Sequence, residues 1–88
     1  MDLTFHQSAL EDYQQWALAD PKIFAKINVL LREIIRTPFS GSGQPEALKY
    51  ELSGFWSRRI TAEHRLVYKV MPAQIIIASC KYHYRTKR

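Results

Sequence analysis

Apolar residues recur at helical spacing in the first half of the chain and alternate with polar residues in the second half. Within residues 21–36 the spacing predicts a helix with one buried face. Asp20 is expected to cap it, Pro21 suits its first position, and Thr37-Pro38 ends it. The apolar positions of this helix are Ile23, Ile27, Leu30, Leu31 and Ile34.

The segment before this helix contains two further elements. Asp2 to Phe5 is typical of a short strand, with its apolar residues on one face. Ser8 and Glu11 have the spacing of a capping box, so we expect a first helix to begin at Ser8 and to continue to about Ala19.

After a glycine- and proline-rich loop at residues 39–45, the period changes to two. The pattern predicts an α+β fold, with two helices packed on one face of a mainly antiparallel sheet of four to five strands. The first strand is expected to join by a crossover and so to lie parallel to its neighbour. The remaining strands are expected at 46–52, 55–61, 65–71 and 74–84.

Composition restricts the class of protein. The 88 residues are 47% hydrophobic, which predicts one small domain over residues 1–88, with 85–88 as a basic tail. The single cysteine, Cys80, allows no internal disulfide, so a cytoplasmic protein is expected. No signal-peptide core or membrane span is evident in the sequence, so no membrane partner is expected.

The positive charge is concentrated in the second half. The net charge of +5 divides into −1 for residues 1–44 and +6 for residues 45–88. A basic half of this kind favours nucleic acid or another polyanion as the partner, although it also suits an ordinary solvated surface.

The most unusual chemistry lies at the end of the last apolar run. His83 stands between Tyr82 and Tyr84, after Lys81 and before the basic residues 85–88. Histidine can exchange a proton near neutral pH, so this segment could combine an acid or base with attraction for phosphate.

Other polar groups of the basic half could meet His83 on the exposed side of the sheet. A carboxylate, several cations and a histidine are what RNA strand cleavage requires, because a base activates the ribose 2′-OH, an acid protonates the leaving oxygen and cations stabilise the phosphorane-like charge. This chemistry needs neither a metal nor a cofactor, since the nucleophile belongs to the RNA. The candidates are Glu46, Lys49, Arg58, Arg59, Arg65, Lys81, His83 and Tyr84.

The strand register leaves the meeting of Arg65 and His83 open. A two-residue turn at Pro72-Ala73 would set Arg65 opposite Cys80 and direct His83 to the other face. A bulge, a longer turn or a chain that leaves the sheet at Tyr82 would reverse this.

Less specific interpretations of these residues also stand. His83 could be a surface histidine, Arg58 and Arg59 could be charges that protect a strand edge, and His64 is expected in a turn. A metal site and a Cys80 nucleophile are disfavoured, because the histidines lack ligand spacing and the thiol lies in an apolar strand.

Several motifs together resemble the YoeB family of toxins, in the RelE superfamily. They are the run from Thr37 through Gly41 and Gly43 to Pro45-Glu46 and Leu48-Lys49, LSGFWSRRIT at 52–61, EHRLVY at 63–68 and Cys80 to Tyr84. The likeness covers nearly the whole chain, which runs on through 85–88 beyond the usual final tyrosine. This extension could add phosphate contacts or be disordered.

The resemblance implies a ribosome-dependent endoribonuclease that cuts mRNA in the A site. It implies Glu46 as general base, His83 as general acid, Arg65 as the phosphate-holding residue and Tyr84 as the residue that orients the RNA. Supporting basic positions match Lys49 and Arg59, and the likeness favours a site shared by Arg65 and His83.

The partners implied are mRNA on the 70S ribosome, including its rRNA, a YefM-like antitoxin and a second copy of the chain. Operator DNA would be reached only through the antitoxin complex. The alternative is a basic module that binds RNA or the ribosome, or acts as an operon co-repressor, without cutting. The carboxylate Glu46 argues for the enzyme, because a like charge beside phosphate would weaken simple binding.

Overall fold

Two helices cover one face of a five-stranded sheet in the computed structural model, which describes residues 1–82. This arrangement confirms the predicted α+β class. The helices are α1 (Gln7–Ala19) and α2 (Pro21–Arg36), and the strands are β1 (Asp2–Phe5), β2 (Glu46–Ala47), β3 (Phe55–Arg59), β4 (Arg65–Val70) and β5 (Gln74–Ser79).

The sheet has the strand order β1-β5-β4-β3-β2. As predicted, β1 lies parallel to β5 and the other neighbours are antiparallel. A parallel partner requires a crossover, and α1 and α2 belong to that connection. The face of the sheet that the helices leave uncovered is called the open face below.

Helix α2 has the N-cap, the first residue and the buried face that the sequence predicts. The Asp20 carboxylate accepts hydrogen bonds from the backbone N–H groups of Lys22 (3.2 Å) and Ile23 (3.3 Å), and Pro21 occupies the first position. Its apolar face is buried against β4 and β5, as the period of the sequence predicts. The packed residues include Ile27, Leu30, Leu31 and Ile34 of the helix and Leu66, Tyr68, Ile75 and Ile77 of the sheet.

The predicted start of α1 is wrong. The helix begins at Gln7, and its N-cap is His6, whose side chain makes no capping bond. The cause is the preceding strand: the His6 N–H still pairs with the Ile77 carbonyl (3.0 Å), while the His6 carbonyl already accepts from Leu10 (3.0 Å). The chain therefore passes from sheet to helix within one residue, before Ser8 can act as a cap.

The strand predicted at 46–52 is correct only for its first two residues. Strand β2 contains only two residues, although the Leu48 N–H still donates to the Phe55 carbonyl (2.9 Å). The chain then turns, because Tyr50 has a φ of 59° and a 3-10 helix spans Tyr50–Leu52. The alternating apolar and polar residues at 48–52 therefore lie in the connection between β2 and β3.

Three other strand ends are earlier than predicted. Strand β3 ends at Arg59, β4 at Val70 and β5 at Ser79. The predicted end of the last strand at Tyr84 lies outside the described residues.

A bulge in β5 bears on the open question of register. Tyr68 is paired with Ile77, but its neighbour Val67 is paired with Ser79, so β5 contains one extra residue. Arg65 is consequently not opposite Cys80; its N–H donates instead to the Tyr82 carbonyl (3.0 Å). A single inserted residue reverses which side chains share a face.

Neither helix in the described part of the chain is both long enough and apolar enough to cross a membrane.

Candidate active site

Glu46, Arg59 and Arg65 lie on the open face of the sheet. Glu46 is the cross-strand partner of Ser57, and Arg59 is the partner of Arg65. Ser57 and Arg59 are two residues apart, and side chains at that spacing share a face. The residue between them, Arg58, contacts α2 and so marks the opposite face. The structure thus brings three of the predicted site residues together.

The pairing of Arg59 with Arg65 concentrates positive charge. Like charges directly opposite each other in antiparallel strands repel, so the arrangement has a cost in the absence of an anion. Glu46 lies near them, since two residues along a strand span about 7 Å. A phosphate at the two guanidinium groups would therefore lie near a carboxylate.

The Arg65 side chain is held in place by the turn that precedes it. It is half-buried, and its Nη1 donates to the carbonyl oxygens of Thr61 (2.8 Å) and His64 (3.1 Å). Within residues 1–82, its Nε and Nη2 make no hydrogen bond to the protein. Arg59, in contrast, is exposed.

The two candidate lysines lie in different places. Lys49 is exposed and stands just before the 3-10 helix that follows β2. The Lys81 ammonium lies over two aromatic rings, 5.8 Å from the Trp16 centroid and 5.4 Å from that of Tyr82. Such cation–π contacts hold Lys81 against α1, so it supports the end of the chain rather than the open face at Glu46.

The assignment of Arg58 to RNA binding is corrected. Its side chain is fully buried. Four of its five N–H bonds go to α2 and the following loop, and the fifth goes to Tyr68. The acceptors are the Glu33 carboxylate (3.1 Å), the carbonyl oxygens of Thr37 (2.6 Å), Ser40 (2.7 Å) and Ser42 (3.2 Å), and the Tyr68 hydroxyl (3.2 Å). A guanidinium with every donor in use has none left for phosphate.

Arg58 and Tyr68 together clamp the loop that leads to Glu46. The Tyr68 hydroxyl donates to the Pro38 carbonyl (2.7 Å), beside the carbonyls held by Arg58. Gly41 fits tightly over this clamp, since a Cβ there would lie 2.7 Å from a Glu33 carboxylate oxygen. The sequence signal for this cluster is weak, because the spacing of Glu33 relative to the apolar positions of α2 is typical of the solvated side of a helix.

Hydrogen bonds and charge around the clamp shift two pKa values. The Ser42 hydroxyl and N–H, together with the positive charge of Arg58, lower the pKa of Glu33 below its ordinary value. Burial raises the pKa of Tyr68, although Arg58 opposes that effect. Both directions keep Glu33 charged and Tyr68 protonated at neutral pH, as the hydrogen bonds require.

Two other kinds of chemistry find little support in the described residues. Burial raises the pKa of Cys80 to about 12, so its thiol is not a nucleophile near neutral pH. Residues 1–82 contain no cluster of three or more His, Cys, Asp or Glu side chains that could hold a metal.

The last described residues reach the site beside Arg65. Tyr82 pairs with the Arg65 N–H through its carbonyl, and its own N–H donates to Nδ1 of His64 (2.7 Å). His64 is buried, so its interpretation as a turn residue misses this contact, for which the spacing contains no signal. The candidates His83 and Tyr84 lie outside the described residues.

The family model for the YoeB-like toxin of bacterial type II toxin–antitoxin systems matches residues 5–84. The chain belongs to the YoeB family. It is therefore a toxin of a type II toxin–antitoxin system. Toxin YoeB of Escherichia coli K12 is 52% identical over 84 residues, which cover 96% of this chain and 100% of that protein.

Solved YoeB structures have the same fold. The YoeB/ParE toxin from Agrobacterium tumefaciens is 45% identical, covers 96% of this chain and 100% of its own, and has a TM-score of 0.92. The YoeB dimer from Staphylococcus aureus and a heterotetrameric YoeB–YefM complex from the same organism are each 50% identical, with TM-scores of 0.89 and 0.88. Both comparisons cover 96% of this chain and 98% of the other.

Proposed function

We propose that this toxin is a ribosome-dependent endoribonuclease that cuts mRNA in the ribosomal A site and so inhibits translation. The observation that carries the proposal is the placement of Glu46 beside the cross-strand pair of Arg59 and Arg65 on the open face. A carboxylate next to two cations suits a reaction at phosphate better than it suits simple binding. In simple binding the carboxylate would only repel the phosphate, whereas in a reaction it can act as a base.

The proposed reaction uses the RNA as its own nucleophile. Glu46 takes the proton from the ribose 2′-OH, and the oxygen attacks the adjacent phosphorus. The bond from phosphorus to the 5′-oxygen breaks, and His83 gives that oxygen a proton. The products are a 2′,3′-cyclic phosphate and a 5′-hydroxyl, so the step consumes no water and needs no metal or other cofactor.

The cations have separate roles in this proposal. Arg65 holds the scissile phosphate and stabilises the charge that builds up in the transition state, for which a fixed guanidinium is well suited. Exposed Arg59 and Lys49 bind the RNA backbone. Lys81 supports the end of β5, and Tyr84 orients the RNA.

The proposed partners follow from the family and the charge. The basic half would bind mRNA and rRNA on the 70S ribosome in the cytoplasm. The S. aureus relatives, solved as a dimer and as a complex with YefM, support a homodimer and a YefM-like antitoxin for this toxin. Operator DNA would be bound only through that antitoxin complex.

The test is a map of transcript 5′-ends in a translating extract, with and without the toxin. New ends within codons at the A site are expected with the wild type and not with Glu46→Gln or His83→Gln. The control is Glu51→Gln, which removes an exposed carboxylate outside the site. Translation that stops without any new ends would contradict the nuclease and favour the non-catalytic module.

A further inference from the structure

His64 is a buried histidine without a role in the proposed reaction. Only 7% of its surface is exposed, although it lies in the turn between β3 and β4. Its ring packs edge-on against Trp16, with centroids 4.8 Å apart, and lies 5.2 Å from the Tyr82 ring. The Trp16 N–H in turn donates to the Cys80 carbonyl (2.9 Å). These contacts connect the turn before Arg65 to the last described residues.

The hydrogen bond from Tyr82 defines the state of the imidazole. A backbone N–H can only donate, and the Tyr82 N–H lies 2.7 Å from Nδ1 of His64. Nδ1 must therefore carry a lone pair, which makes the ring neutral with its proton on Nε2. A protonated imidazole would present a second donor to the same N–H, and the bond would be lost.

The hydrogen bond to His64 stabilises Tyr82 in an unfavourable backbone conformation. Its φ is 59°, in the left-handed region that costs free energy for any residue with a Cβ. Both polar groups of its backbone are held: the N–H by His64 and the carbonyl by the N–H of Arg65 (3.0 Å). The adjacent residues His64 and Arg65 thus fix the backbone of Tyr82, three residues after the end of β5.

We propose that His64 is a positioning residue: its neutral imidazole holds Tyr82, the residue directly before the proposed acid His83 in the sequence, in its left-handed conformation beside Arg65. The catalytic part of this inference rests on the proposed function. The anchoring part stands on the geometry alone. Because Arg65 follows His64 directly, the turn that bonds the Arg65 guanidinium also holds the residue that precedes the proposed acid in the sequence.

Two substitutions separate the acceptor from the ring. His64→Asn retains an acceptor oxygen near the position of Nδ1 but removes the ring. His64→Phe retains a ring against Trp16 but has no acceptor. If His64 serves only in core packing, the ring matters and His64→Phe should be the milder change. If His64 acts through its hydrogen bond to Tyr82, the acceptor matters and His64→Asn should be the milder change. His6→Asn, at an exposed histidine whose side chain makes no capping bond, controls for loss of a histidine.

Amide hydrogen exchange of the purified toxin tests the anchor without reference to activity. In His64→Phe the Tyr82 amide is expected to exchange roughly tenfold faster than in the wild type, the scale of one lost hydrogen bond, and in His64→Asn to stay within about threefold. The amides of Tyr68 and Ile77 report whether the core remains folded. Should His64→Phe fail to fold, NMR of the wild type still tests the anchor. A scalar coupling across the hydrogen bond, between the Tyr82 nitrogen and Nδ1 of His64, is then expected.

Single-turnover cleavage on programmed ribosomes tests the catalytic part. His64→Phe is expected to lower the rate at saturating toxin by about 10- to 100-fold, the scale of a misplaced catalytic group, with the half-saturating toxin concentration unchanged. His64→Asn should restore most of that rate. A mutant that loses affinity but keeps the saturating rate would contradict positioning.

The outcomes distinguish this inference from the proposed function. Full activity of His64→Phe alongside an inactive His83→Gln would overturn the positioning role and leave the nuclease intact. Wild-type activity of His83→Gln would overturn the proposed nuclease mechanism and the catalytic part of the inference together. Unchanged Tyr82 exchange in folded His64→Phe, or no coupling to Nδ1 in the wild type, would overturn the anchor.

Discussion

Three arginines within eight residues have three different environments. Arg58 is buried with all its donors in use, Arg59 is exposed, and Arg65 is half-buried with one nitrogen bonded to turn carbonyls. These environments show that Arg58 is part of the fold, and they fit the proposed roles of Arg59 in attracting RNA and of Arg65 in holding a phosphate. The alternation of the strand separates Arg58 from Arg59, but only the contacts with α2 reveal which face is buried.

Arg65→Ala should reduce the rate of cleavage far more than the affinity for the ribosome. A preorganised cation acts on the charge that develops in the transition state, so a loss of about 10²-fold in the single-turnover rate is expected. Exposed Arg59→Ala, the cross-strand control, should weaken binding as well. An unchanged maximal rate for Arg65→Ala, with only a higher toxin concentration at half-saturation, would contradict the role given to Arg65.

At the scale of elements, the loop between α2 and β2 is held more firmly than its composition suggests. Arg58 and Tyr68 bind four of its carbonyl groups, those of residues 37, 38, 40 and 42. The Gly43 carbonyl accepts from the Arg59 N–H (2.6 Å), three residues before Glu46. The sheet therefore fixes the segment that delivers the proposed base.

Arg58→Met should destabilise the fold, because it removes the guanidinium and leaves the Glu33 carboxylate and three loop carbonyls without that donor. A loss of about 2–4 kcal/mol in the free energy of unfolding is expected from a broken buried network. Arg59→Met is the matched control, one residue away but exposed, and should change stability by about 0.5 kcal/mol or less. Equal midpoints in urea for both variants would show that the clamp contributes little.

The clamp also predicts a pH dependence through Glu33. Its folded-state pKa is lowered, so the folded protein binds fewer protons than the unfolded chain as the pH approaches the ordinary glutamate value of 4.5. The stabilisation is complete above that value and is lost as the pH falls through the lower folded pKa. Wild type should therefore be more stable than Glu33→Gln at pH 7, and the difference should shrink in urea titrations at progressively lower pH. A difference that does not change with pH would contradict this role.

The elements that the sequence predicts well are those whose signals are local. The cap at Asp20, the apolar face of α2 and the parallel placement of β1 follow from spacing and chain connection alone. The strand predicted at 46–52 fails because the alternating apolar residues lie in a connection that Tyr50 enters with a positive φ. Such a conformation depends on the strands on either side.

The candidate site could be predicted only in part. The sequence predicts Glu46, Arg59 and Arg65 as candidates because they are charged residues at strand positions of the basic half and match the family motifs, and the structure places all three on the open face. The bulge in β5, the burial of Arg58 and the contact of His64 with Tyr82 depend on long-range packing, which no spacing along the chain encodes.

At the scale of the whole molecule, the residues that form the core and three of the candidate site residues lie on opposite faces of the sheet. The helices and the apolar face of the sheet form the core, while the open face carries Glu46 and the arginine pair. The basic half of the sequence contributes β2 to β5, and these strands carry four cationic residues, Arg58, Arg59, Arg65 and Lys69. Under the proposed function, RNA would approach the open face at the pair of Arg59 and Arg65.

The central claim is that Glu46 activates the ribose 2′-OH of the message. The measurement is single-turnover cleavage, on programmed ribosomes, of a message with one 2′-deoxy sugar just 5′ of the scissile phosphate. We predict that this message binds in the A site but resists cutting, while the unmodified message leaves a 2′,3′-cyclic phosphate or 3′-phosphate and a 5′-hydroxyl. Efficient cleavage of the deoxy-substituted message, with a 5′-phosphate at the new end, would contradict the claim, because water and not the ribose would then be the nucleophile.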